Sequence, residues 1–121
     1  MFKAALADIV QRTEGATGAL IMGMDGIAVE RVFLPEGSDA NMDVAAAEVT
    51  SLVRSALRAG QNTGLGSLQE LVVNFDKVRI LARMFSHEYF VVLALKADGN
   101  LGRGRFELRK AELRLAREFV L

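Results

Sequence analysis

With 121 residues, the chain has room for one domain around a single core. Hydrophobic residues make up 51% of it, too many for a disordered chain, and fifteen basic residues cancel fifteen acidic ones. A net charge of zero gives no bulk attraction to nucleic acid or an anionic membrane, and the lack of cysteine removes disulfides, thiol chemistry and cysteine-based zinc sites.

Phe2–Glu14 reads as an amphipathic helix. Phe2, Leu6, Ile9 and Thr13 form one stripe, flanked by Ala5 and Val10, and Gly15 is placed to end it. Asp8 brings an acid too early for a signal peptide, which agrees with a cytoplasmic protein. Thr17–Met22 is apolar without a polar side, the pattern of a central strand covered on both faces. Asp25-Gly26 is a tight hairpin signal, and Ile27–Phe33 returns as a second strand. Glu30 and Arg31 make that strand more polar and place it at an edge.

Leu34–Asp39 is a loop with the only proline, and either Asp39 or Asn41 can cap the helix that follows. That helix runs from about Asn41 to Ala59. Met42, Ala45, Ala46, Val49, Leu52, Val53, Ala56 and Leu57 share its inward face, and Gly60 is expected to close it. Leu68–Phe75, Val78–Phe85 and Tyr89–Leu95 follow as strands joined by Asp76-Lys77 and Ser86-His87-Glu88, which makes an antiparallel meander. In the middle strand of the three, Arg79 and Arg83 lie on one face and Ile80, Ala82 and Met84 on the other. Tyr89–Leu95 is apolar throughout, far short of the roughly 20 residues of a membrane helix, and belongs at the centre of the sheet. Placing both apolar strands centrally gives the order 2-1-5-4-3, with the third strand as a free edge. A last helix, about Arg105–Val120, buries Leu108, Ala111, Leu115 and Phe119.

Few residues suggest chemistry. Asp98–Gly104 is glycine-rich and lies between a strand and a helix, where phosphate loops occur. Its glycine order fits neither a dinucleotide fingerprint nor a nucleotide loop, so it reads as a crossover into the last helix. Gln61–Gly66 follows a helix, the wrong end for an anion, and is a connector. His87, the only histidine, lies in a turn beside Glu88 with no serine–acid pattern or second metal ligand near it. Met22 and Met24 read as core and strand end. No catalytic, cofactor or metal set emerges, which favours a recognition module over an enzyme.

The outward face of the long helix carries Asp43, Val44, Ala47, Glu48, Thr50, Ser51, Arg54, Ser55 and Arg58. Within it, Val44, Ala47, Glu48, Ser51 and Ser55 form a ridge of mainly small side chains. A solvated helix more often carries Glu and Lys there, and small residues let a second helix approach closely, so the ridge reads as a contact surface.

The whole order, helix–strand–strand–helix–strand–strand–strand–helix, resembles the Roadblock/dynein light chain family. The best local matches are Leu6-Ala7-Asp8-Ile9 through Glu14-Gly15 into Gly18–Ile21 and Asp25-Gly26, the alanine-rich long helix, and Phe90–Leu95 followed by Asn100-Leu101-Gly102 and a charged final helix. The resemblance implies a profilin-like α/β fold, with the long helix on one face of a five-stranded sheet and the two terminal helices on the other. It also implies a homodimer whose third strands pair across a two-fold axis, through residues such as Glu70 and Val72, with the long helices side by side. It further implies that the helix-pair face receives a Ras-like small GTPase, as for bacterial members, with Asp43, Thr50, Arg54 and Arg58 as partner-binding residues. The competing readings are a PAS-like small-molecule sensor, which requires an interior cavity with convergent polar groups, and a plain dimeric scaffold.

Overall fold

The structure, a computed structural model, describes residues 2–35 and 41–119, without the side chains of residues 118 and 119. Asp39 and the side chain of Phe119 therefore lie outside the described residues. In chain order the elements are α1 (Phe2–Arg12), β1 (Ala16–Gly23), β2 (Ala28–Phe33), α2 (Met42–Thr63), β3 (Glu70–Asn74), β4 (Val78–Met84), β5 (Tyr89–Lys96), α3 (Leu101–Arg114) and the short α4 (Ala116–Phe119). The five strands form one sheet in the order β2-β1-β5-β4-β3, and every neighbouring pair is antiparallel.

β1 and β5 pair along most of their length at the centre, from Ala16 opposite Leu95 to Gly23 opposite Tyr89. Both are buried on both faces, as their lack of a polar side requires. Alternation then divides the core in two. Ala19, Ile21, Leu81, Val91, Leu93 and Leu95 meet Leu6 and Ile9 of α1 and Leu108 and Ala111 of α3. On the opposite face Leu20, Met22, Ile80, Phe90 and Val92 meet Met42, Ala46, Val49 and Val53 of α2. The result is three layers, with both terminal helices on one side of the sheet and α2 alone on the other.

The helix ends differ from the sequence expectation. Asn41 caps α2 by accepting from the Val44 amide at 3.3 Å. The helix continues through Gly60 to Thr63 and ends on Gly64, whose φ of 76° suits the left-handed cap. Gly60 stays helical because its carbonyl accepts the amides of Leu65 and Gly66, folding the connector back against the helix end. α3 begins at Leu101, earlier than the expected Arg105, because Asn100 accepts from the Arg103 amide at 2.9 Å and nucleates the first turn. The glycines of Asp98–Gly104 serve close packing. Gly15, at φ 85°, brings its backbone against Gly99, and a Cβ there would lie 2.4 Å from the Gly99 Cα. Gly104 is buried over Leu93.

The buried arc of α2 is Met42, Ala46, Val49, Thr50 and Val53. Its centre runs between Ala46 and Val53, rotated from where the wheel reading puts it. Thr50, expected to face outward, is therefore buried at 1% exposure, with its hydroxyl donating to the Ala46 carbonyl at 2.9 Å. Leu52, expected inward, is 47% exposed.

Two outcomes test this packing. Leu115 is buried at the C-terminus of α3, so Leu115→Ala should cost about 2–5 kcal/mol in urea denaturation. Thr50→Val removes one local hydrogen bond and should stay within about 1 kcal/mol of the parent. Thr50→Arg buries an unpaired charge and should cost about 3 kcal/mol or more. A Thr50→Arg protein as stable as the parent would mean that this position faces solvent.

Candidate partner-binding surface

The outer side of α2 is built from the residues that remain once its inner arc is buried. Asp43, Val44, Ala47, Glu48, Ser51, Arg54, Ser55 and Arg58 are all exposed. Val44, Ser51 and Ser55 follow one line along the helix, and Leu52 lies beside it. Val44 is 57% exposed, so this face carries two aliphatic side chains among small ones. Sequence reasoning missed Leu52 because a large aliphatic residue next to Val53 fits the core equally well. Only the rotation of the helix separates the two roles.

The charged residues at the rim are partly engaged within the chain. Asp43 pairs with Arg31 of β2, and the Arg54 guanidinium donates to the Met24 carbonyl at the end of β1. Both contacts hold α2 against the β1–β2 hairpin, around an open cleft of about 310 Å³ that includes Leu20, Gly26, Arg31 and Asp43. The Arg31–Asp43 pair is half exposed on both sides, so its contribution to stability is at most about 1 kcal/mol. Among the described residues Arg58 donates to Ser55 of its own helix, at 3.4 Å. Thr50, now buried, offers no surface to a partner.

The second part of the surface is the edge of β3, which pairs with β4 on one side and ends the sheet on the other. Among the described residues no strand pairs with its outer backbone, which leaves an open sheet edge. The side chains of Glu70 and Val72 do not point toward α2. Val72 packs on the core beneath the terminal helices. Glu70 accepts from Arg105 at 2.7 Å and lies 3.8 Å from Arg83, which in turn bonds Glu112 at 2.9 Å. This row of alternating charges fixes the start of the edge strand to β4 and α3. Leu71 and Val73 are the β3 side chains on the α2 side, packed at the margin of its core.

His87 is exposed in the turn between β4 and β5. Its turn adjoins the β1–β2 turn, where the Met24 amide donates to the Glu88 carbonyl at 2.9 Å. The two turns border an open groove of about 340 Å³ lined by Met24, Asp25, Ile27, Val29, His87, Glu88 and Tyr89, among others.

The comparisons with known proteins agree with this architecture. A family model described as the Roadblock/LC7 domain matches residues 3–94. MglC from Myxococcus xanthus is 34% identical, with a TM-score of 0.72 over 96% of this chain and 97% of that one. A Roadblock/LC7 domain from Streptomyces avermitilis superimposes at TM-score 0.83 with 18% identity, over 96% of this chain and 95% of its own. The gliding protein MglB from Thermus thermophilus does so at 0.82 with 19% identity, over 94% and 84%. Profilin IA of Acanthamoeba castellanii shares the fold more distantly, at 0.60 with 13% identity over 98% of each chain. No curated protein matches the sequence. The family match spans three-quarters of the chain, and the strand order and layers follow the same pattern: the chain belongs to the Roadblock/LC7 domain family.

Proposed function

We propose that this protein is a homodimeric regulator or adaptor of a Ras-like small GTPase, acting in the cytoplasm and without catalytic residues of its own. One observation carries the reading: α2 exposes a ridge of small side chains with Val44 on it and Leu52 beside it, and among the described residues no strand pairs with the outer edge of β3. A second copy answers both features, because pairing β3 with its symmetry mate covers the edge and sets two α2 helices side by side. Near-zero net charge puts little repulsion in the way. Self-association also has a precedent in MglB, which has been solved in a tetrameric arrangement.

A GTPase would meet the paired helices through their rim. Charged rim residues orient a partner and speed its capture. Arg58 is the better candidate for that contact, since Arg54 is committed to Met24 and Asp43 to Arg31. GTPase switch segments are ordered only by the γ-phosphate, so a surface complementary to them binds the GTP form more tightly. The sensor alternative gains little, because the α2-facing core is filled with Leu20, Phe90, Val92 and Val53, all fully buried aliphatic or aromatic side chains.

Sedimentation tests the assembly. The parent should run as a dimer, and Ser51→Arg or Ala47→Arg should give monomer or aggregate, since bulk and charge at a helix–helix contact both cost energy. A dimer unchanged by both substitutions removes α2 from the interface.

Capture of Ras-like GTPases from the source cell, loaded with a GTP analogue or with GDP, tests the function. The dimer should retain the GTP form preferentially. Arg58→Glu should weaken that retention and reduce its salt sensitivity, with the melting temperature unchanged because Arg58 supports only its own helix. Equal retention of both forms leaves a scaffold, and no retention of either ends the GTPase reading.

A further inference from the structure

We propose that the outward face of α3 is a peripheral docking surface for anionic lipid membranes. The inference rests on α3 alone and is independent of the α2 surface. Gly104, Leu108 and Ala111 turn α3 toward the sheet and are buried. At about 100° per residue, the opposite arc carries Arg103, Phe106, Arg109, Lys110, Leu113 and Arg114, all exposed. No acid lies on that arc. Glu107 is buried at the α1–α3 seam, and Glu112 is turned to Arg83. A chain of zero net charge has thus gathered cations on one helix face, which a net sum conceals.

The apolar residues on this face are unusual in their exposure. Leu113 is 80% and Phe106 54% exposed, about two helical turns apart. Arg103 and Lys110 lie 5.3 and 5.5 Å from the centre of the Phe106 ring, one on the turn before it and one on the turn after. The same two cations hold the buried Glu107 carboxylate at 2.8 and 3.2 Å, which fixes their stems and so the ring between them. Arg114 pairs with Asp8 of α1 at 2.9 Å. The face therefore offers two exposed apolar side chains beside cationic donors.

This chemistry matches a lipid surface better than a folded protein. Every polar side chain on the arc is a donor, and phosphate and carboxylate headgroups are acceptors. Apolar tips enter the headgroup boundary while flanking Lys and Arg stay with the anionic lipid, the arrangement of basic amphipathic helices that lie on membranes. The cations act within about 10 Å at moderate salt, so their clustering matters and the charge of the rest of the chain does not.

Vesicle flotation with the full chain tests the proposal. Binding is expected to vesicles of phosphatidylcholine with about one-third phosphatidylserine, to be absent with phosphatidylcholine alone, and to fall as salt rises. Arg109→Glu, at an exposed position of the arc, should lower the apparent affinity about tenfold, and Leu113→Ser by several-fold. Melting temperatures should stay at the parent value, which separates lost binding from lost folding, and α2-dependent sedimentation should be unaffected. Absence of binding to the anionic vesicles, or binding that neither variant weakens, overturns the proposal. So does capture of a glutamate-rich helical peptide by this face in place of the vesicles, which would assign it to an acidic protein.

Discussion

The constraint from which the rest follows is the pairing of β1 with β5. Both strands lack a polar side, so neither can face water on either surface, and the ladder between them must be covered twice. One side is covered by α1 and α3, the other by α2 alone. The asymmetry has a consequence. Two helices side by side shield each other's flanks, whereas a lone helix across five strands leaves most of its circumference in solvent. α2 is 22 residues long, and only five of them are buried. A helix that long, carrying Val44, Leu52 and a line of alanine and serine outside, is poorly explained as a cover for the sheet only.

The edges of the sheet are held differently. β2 is laddered to β1, packs Val32 and Ala28 against the two cores, and meets α2 through the exposed Arg31–Asp43 pair, which adds little. β3 is fixed through Arg105, Glu70, Arg83 and Glu112, a row whose inner members are largely buried. Charges arranged as a network with reduced solvent access interact more strongly than isolated surface pairs. Glu70 and Val72 are thus committed to the terminal-helix face, while among the described residues no strand pairs with the outer backbone of β3. A fixed strand with an open edge presents a constant register to a partner strand, which a loose edge would not.

Much of this was legible in the residues. The two apolar runs Thr17–Met22 and Tyr89–Leu95 determine which strands are central, and the short turns at Asp25-Gly26, Asp76-Lys77 and Ser86–Glu88 determine antiparallel pairing. Together they give the strand order. The two-fold alternation of Arg79 and Arg83 against Ile80, Ala82 and Met84 identifies the faces of β4. The rotation of α2 was not legible, because Thr50 and Leu52 lie on either margin of the apolar arc and each tolerates either environment: the threonine hydroxyl can satisfy itself on the preceding turn, and leucine can pack or be exposed. The limits of α2 and α3 were hidden for a similar reason. Glycine punctuates a chain only where the backbone needs it, and Gly60, Gly102 and Gly104 lie inside helices because a cap further along, or an asparagine just before, decides the boundary. The ion pairs of Glu70 lay beyond sequence reasoning, since its partners Arg83 and Arg105 come from distant segments.

The zero net charge illustrates why surfaces resist reading from composition. Charge acts over about a Debye length, and this chain spans several. Folding turns Glu112 of α3 to Arg83 and buries Glu107 beneath the outward Arg103 and Lys110, so the helix is amphipathic twice over: once between its core and solvent sides, and again between inward acids and outward cations, among them Arg109 and Arg114. The exposed side of α2 keeps both signs, with Asp43 and Glu48 beside Arg54 and Arg58. The two outer surfaces of the sheet sandwich are therefore unlike in kind. One is mixed in charge, small in side-chain volume and next to an open strand edge, which suits close protein contact. The other is cationic with apolar tips, which suits a broad anionic surface. A domain built with different chemistry on its two faces can hold one partner while facing another, and the pairing of β1 with β5 keeps those faces a fixed distance apart.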